Sequence, residues 1–227
     1  MITENLKYLE DIIQKKCIEI GRNRDDITVI AVSKNNPIGS ILEVANYGYL
    51  NFGENKAQEL RDKAEELIEK NINWHYIGHL QTNKVKYIIK HAKYIHSVES
   101  FELADEINKR AFSINKIQPV FIECNISAEE SKFGLQDTDS IFKLAEYISL
   151  KENLKLEGLM TMAPYTDNEE LIRYTFRGLK KVFDKLNNNG YNLTELSMGM
   201  TNDFLIALEE GATMLRIGTA IFGERIY

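Results

Sequence analysis

The sequence has 227 residues, 44% of them apolar and 27% charged, with 34 acidic against 28 basic side chains and a formal charge of −6. That composition excludes a disordered, fibrous or membrane-spanning chain, and the acidic balance argues against broad attraction to nucleic acid or anionic lipid. Cys17 and Cys124 stand far apart and match no metal-binding spacing, which favours a reducing compartment.

The opening segment mixes acids with lysines, so it lacks the basic start and continuous apolar core of a secretory signal. A cytoplasmic protein is expected. Leu6, Leu9, Ile13, Cys17 and Ile20, three and four residues apart, predict a leading helix over residues 1–21, stopped at Gly21. The run 27–34, ITVIAVSK, is continuous and β-branched, the mark of a strand buried on both faces. From there helical and strand-like stretches alternate: helix 38–48, strand 49–54, helix 54–70, strand 72–78, helix 81–91 and strand 93–100. Helix 101–115, strand 118–127, helix 137–151, strand 154–162, helix 168–190, strand 193–199, helix 201–211 and strand 213–223 complete the series.

Eight strands separated by seven helices imply a parallel sheet with helices outside it. Eight units in about 200 residues fit a closed (β/α)8 barrel, an α/β TIM barrel forming a single domain over 1–227 with an additional N-terminal helix. A doubly wound open sheet is the competitor. It usually carries fewer strands at this size, and no G-x-G-x-x-G follows the first strand.

In a barrel, functional groups belong at the C-terminal ends of the strands, with an anion site commonly built by the loops after strands 7 and 8. The first strand ends in Ser33-Lys34, and an amine at an apolar mouth can form a Schiff base with a carbonyl; a solvated lysine closing a strand is the plainer alternative. The loop Ser197-Met198-Gly199-Met200-Thr201-Asn202-Asp203 before a helix suits an anion, although Thr201 or Asp203 would equally cap that helix. In strand 8, alternation sends Arg216 and Gly218 to one side, so a buried arginine needs either an anionic ligand or a carboxylate such as Glu54 or Glu123. His75 and His79 lie on strand-like sequence unsuited to a helical metal pair, and the lysines at 84, 86, 90 and 93 read as a solvated face. Neither a G-x-S-x-G elbow nor a P-loop occurs.

The segment 74–84, WHYIGHLQTNK, resembles the signature of the pyridoxal phosphate homeostasis protein family, small barrels similar to the N-terminal domain of alanine racemase. AVSK at 31–34, FGEN at 52–55, KFG at 132–134, GLMTM at 158–162, LSMGMTNDF at 196–204 and RIGTAIFG at 216–223 follow in the family's order. The resemblance implies pyridoxal 5'-phosphate (PLP) as cofactor, carried as an internal aldimine on Lys34. It further implies that Ser197, Gly199, Thr201, Gly218 and Thr219 hold the phosphate, that Arg216 faces the pyridine ring, and that Asn55 lies near the ring. The implied function is intracellular PLP homeostasis, as a carrier or reservoir without robust turnover, with PLP-dependent apo-enzymes as partners. An arginine facing the ring disfavours its protonation and so weakens it as an electron sink.

Two departures stand out. Asn35-Asn36-Pro37 follows the lysine where many relatives have a threonine and a basic residue, and Thr201 stands where a serine is usual. The chain is read as ending just past the barrel, without the extra β-domain that supplies the racemase with its second base, and a monomer is expected. The alternative function is a PLP-dependent amino-acid racemase or related enzyme, for which His79 is the nearest candidate for the second base. A Schiff-base aldolase acting on a phosphosugar is a third, less supported class.

Overall fold

In the first strand Ile30 points to one side and Val29 and Ala31 to the other, and both sides are buried. That double burial is what a parallel strand enclosed by helices requires. The computed structural model describes residues 1–127, 129 and 132–223, so the last four residues of the expected single domain lie outside the described residues. Its strands are β1 (Thr28–Val32), β2 (Asn51–Glu54), β3 (Asn73–Tyr76), β4 (Ala92–Val98), β5 (Gln118–Glu123), β6 (Leu154–Met160), β7 (Glu195–Ser197) and β8 (Met214–Ile217). They pair in parallel in sequence order, and β8 closes on β1 with Ile30 beside Arg216. The fold is therefore the closed α/β barrel expected from the alternation.

The helices are α1 (Ile2–Glu19), α2 (Ile38–Tyr47), α3 (Ala57–Glu66), α4 (Val85–Ile88), α5 (Phe101–Ser113), α6 (Thr138–Ser149), α7 (Glu169–Asn188), α8 (Phe204–Glu209) and α9 (Thr219–Phe222). α1 buries Leu6, Leu9, Ile13 and Cys17, the stripe that predicts it, and Asn5 Nδ2 donates to the carbonyl of Ile221 in α9. Three expectations change. The stretch 213–223 is not one strand: Gly218, at φ −110° and ψ −80°, leaves the extended conformation, and α9 begins at Thr219. The helix expected over 81–91 shrinks to the single turn of α4 behind a 3-10 turn at Thr82–Lys84. Asp203 and Thr201 make no side-chain cap on α8; the Asp203 carboxylate instead accepts from the Met200 amide.

Two cores result. The larger lies between strands and helices, while a small interior one holds Ile30, Phe121, Met160 and Met214, with Tyr94 and Met162 against it. Among the described residues no helix is long and apolar enough to cross a membrane.

Candidate functional site

β1 stops at Val32, and residues 33–36 form a turn closed by the Asn36 amide donating to the Ser33 carbonyl. Asn35 takes φ +60° there, a conformation asparagine tolerates better than most side chains. Lys34 stands in this turn two residues past the end of β1, while the Ser33 side chain faces outward to Glu54 beneath α3.

A buried ionic brace holds that turn from outside. Lys63 Nζ of α3 donates to Glu54 Oε1 at 2.8 Å, to Glu59 Oε1 at 2.7 Å and to the Ser33 carbonyl at 2.8 Å. Ser33 Oγ donates to Glu54 at 2.6 Å, and Glu59 accepts the Asn35 amide at 2.6 Å. Burial raises the Glu54 carboxyl above its ordinary range, opposed by Lys63 and Ser33. Among the described residues the Lys34 amine, by contrast, has no hydrogen-bond or ion-pair partner. Lys63 is consumed by that brace.

On the neighbouring stave, Arg216 is 4% exposed and donates through Nη1 to Ser197 Oγ at 2.7 Å and through Nη2 to the Thr161 carbonyl at 2.9 Å. Burial lowers the guanidinium to about 10, with Asp203 and Glu123 opposing, so it stays charged at neutral pH. Neither carboxylate proposed as its ion-pair partner fills that role. Glu54 is spent on Lys63, and Glu123 acts only through its longer-range field.

The loops after β7 and β8 meet as expected. Gly199 sits at φ +94°, where an added Cβ would lie 2.6 Å from that of Ala207, so no other residue fits without displacement. Thr201 Oγ1 accepts the Ala220 amide at 3.3 Å, tying the β7 loop to the first turn of α9. A Cβ at Gly218 would meet, among the described residues, only Val32, at an ordinary contact distance of 3.6 Å. Thr219 is exposed at the start of α9, whose next amides are taken, that of Ala220 by Thr201 and those of Ile221 and Phe222 by the Gly218 carbonyl. Asn55, half-buried after β2, holds a buried Oδ1 without a partner. Lys34, Asn55, Gly199, Thr201, Arg216, Gly218 and Thr219 therefore stand on four consecutive staves, β7, β8, β1 and β2.

Ser197 is placed differently from the others. Its hydroxyl is fully buried inside the barrel between Arg216 and His96 Nδ1, 2.9 Å away, and is committed there. His79 is committed as well: Nδ1 lies 3.0 Å from Glu99 Oε1, and its ring stacks on Phe133 at 4.0 Å. Glu99 also accepts the Gly134 amide, so this cluster clips the loop after β5 onto the loop after β3.

Sequence reasoning did not single out Lys63, Glu123, His75 or His96 for the roles they take. Glu123 ends β5 with the inward parity of Phe121, is 3% exposed and has an unpartnered Oε2. Burial first and Glu99 second push its carboxyl up to about 7, against the pull of Arg216. The sequence offered Glu123 only as an ion-pair partner for Arg216; parity along β5 is the further signal that aims it inward.

The sequence model of the alanine racemase N-terminal domain family matches residues 13–226. A pyridoxal phosphate homeostasis protein of Aquifex aeolicus is 45% identical over 226 residues, covering 99% of this chain and 98% of that one. Its Escherichia coli K12 counterpart is 35% identical, covering 100% and 97%. Among solved structures, a Bifidobacterium adolescentis protein of unknown role superposes with a TM-score of 0.91 at 34% identity, covering 97% and 94%. PipY of Synechococcus elongatus, solved with PLP bound, gives 0.85 at 30% identity, covering 98% of this chain and all of that one. An alanine racemase from Clostridium difficile, 19% identical, shares the fold over 57% of its length with a TM-score of 0.75.

Proposed function

This chain belongs to the pyridoxal phosphate homeostasis protein family, and on that premise we propose that it binds PLP covalently through Lys34 and acts as an intracellular carrier or reservoir of it. The observation that carries this reading is the contrast between the two lysines at the turn after β1: Lys63 is saturated with acceptors, and among the described residues Lys34 has no partner and follows the stave paired with that of Arg216. When bound, PLP supplies an aldehyde for an amine to capture and a conjugated ring that absorbs visible light.

The remaining chemistry belongs to the chain. Lys34 Nζ is the nucleophile, held in place by the Lys63 brace through the Ser33 carbonyl and the Asn35 amide. The phosphate would be held at the β7 and β8 loops by the Gly199 and Gly218 backbone with Thr201 and Thr219, loops that the Thr201–Ala220 hydrogen bond ties together. Arg216 would place its positive charge near the ring and so disfavour a proton there, and Asn55 Oδ1, buried and unpartnered, would be an acceptor for the bound group. A phosphate-holding role for Ser197 is replaced by the holding of Arg216.

We further propose a single-domain cytoplasmic monomer that passes PLP to apo-enzymes and has no robust turnover. The racemase alternative needs a second base, and His79, its expected source, is paired with Glu99 and covered by Phe133. Borohydride reduction of the PLP-loaded protein followed by peptide mass spectrometry should place a pyridoxyl group on Lys34. The Lys34→Ala variant should lose both that label and the yellow colour. A label predominantly on another lysine of the wild type would overturn the reading.

A further inference from the structure

Beneath Arg216 the barrel interior carries a line of polar side chains in place of the apolar filling found around it. His96 Nδ1 lies 2.9 Å from Ser197 Oγ, His96 Nε2 lies 2.9 Å from His75 Nδ1, and His75 Nε2 lies 3.1 Å from Asn51 Oδ1. Both imidazoles are fully buried; the His96 ring stacks on Phe121 at 4.2 Å and the His75 ring on Tyr94 at 5.0 Å, which fixes their planes.

Proton accounting gives this line a single direction. Asn51 Oδ1 can only accept, so His75 carries its hydrogen on Nε2. The charged groups acting on the pair are Lys93 and Arg216, both cations, and burial drives His75 down to about 3 and His96 well below its ordinary value, so both rings are neutral. A neutral His75 with its hydrogen on Nε2 leaves Nδ1 bare, and His96 must then donate from Nε2. His96 Nδ1 is bare in turn and takes the Ser197 hydroxyl hydrogen, which leaves Ser197 Oγ to accept from Arg216.

We propose that His96 and His75 are positioning residues, a one-way relay from Arg216 through Ser197 to Asn51 that orients the guanidinium toward the mouth without neutralising it. A carboxylate would hold Arg216 as firmly but would cancel its field, whereas a chain of neutral donors ending on an amide oxygen holds the arginine and leaves its charge available. The inference rests on the proposed placement of Arg216 against the cofactor ring, and its first test does not need the cofactor.

Long-range proton–nitrogen NMR of the PLP-free protein should show His75 and His96 as neutral Nε2–H tautomers, with no titration between about pH 5 and pH 9. An Nδ1–H tautomer on either ring, or titration near the ordinary histidine value, overturns the relay whatever the cofactor does. In the PLP-loaded protein, His96→Leu removes the acceptor from Ser197, whereas His96→Asn keeps an oxygen near the Nδ1 position. His96→Leu should release PLP about tenfold faster and move the pH midpoint of the visible band by about one unit, and His96→Asn should restore both. Equal behaviour of the two variants would reduce the histidines to filler and sink the proposal. If His96→Leu does not fold, Ser197→Ala breaks the same link and is read against the wild type by the same two measurements. If the wild type carries no label on Lys34, the reading of the site fails, and the tautomers alone then judge the relay.

Discussion

At the residue scale, Glu123 shows what a neighbourhood does to a side chain that sequence leaves ambiguous. Its carboxyl closes β5 on the strand across the barrel from the one that precedes Lys34, and burial moves its titration from 4.5 to about 7. Because the folded value lies above the unfolded one, the proton is bound more tightly in the native state. The associated stability is complete below about pH 4 and is lost as pH rises through about 7. The size is about 3 kcal/mol. Glu123→Gln keeps the shape and removes the titration, so urea unfolding across pH should show the variant gaining on the wild type from about pH 5 to pH 8, with parallel curves below that. Parallel curves throughout would show that Glu123 titrates normally. Lys34 and Arg216 were legible because strand ends in a barrel point at its mouth; the titration of Glu123 was not, because it is set by burial and by Glu99 and Arg216, which belong to other staves.

At the scale of elements, α3 does more than cover β2. Through Lys63 it fixes the relative heights of the β1 and β2 ends and the turn that carries Lys34. Lys63→Met would leave Glu54, fully buried, without its cation, and should cost about 3–5 kcal/mol in denaturant unfolding. Adding Glu54→Gln should recover most of that loss, because the uncompensated charge is what destabilises. A double variant as unstable as Lys63→Met would place the cost in lost packing instead. The long periodic helices α1, α5, α6 and α7 were readable from spacing alone. The segment at 213–223 was misread as one strand because its apolar run continues past Gly218 into α9, and composition does not distinguish a buried strand from a buried turn of helix.

Over the whole molecule, the relay from Arg216 to Asn51 joins β8, β7, β4, β3 and β2 through the interior, so its protonation state is a property of the closed barrel. Both histidines are depressed by burial, His75 to about 3. Their neutral forms therefore support the fold above the ordinary histidine value of about 6.5, and that support is lost as pH falls toward about 3. This runs opposite in sign to Glu123 over the shared part of the range. Unfolding monitored by circular dichroism should show stability dropping below about pH 6, and His75→Asn combined with His96→Asn should flatten that acid limb. An unchanged limb would assign acid sensitivity to the surface ion pairs.

The barrel, the leading helix and the positions of Lys34 and Arg216 on the first and last staves follow from hydrophobic period and chain order, local quantities that eight repeats make unambiguous. Three outcomes come from long-range packing: Lys63 of α3 is bound into the brace while Lys34 is not, Ser197 turns inward to Arg216, and two histidines 21 residues apart share a hydrogen bond. Those outcomes depend on closing β8 against β1, which brings side chains from distant strands within hydrogen-bonding distance and removes the water that would otherwise have satisfied them.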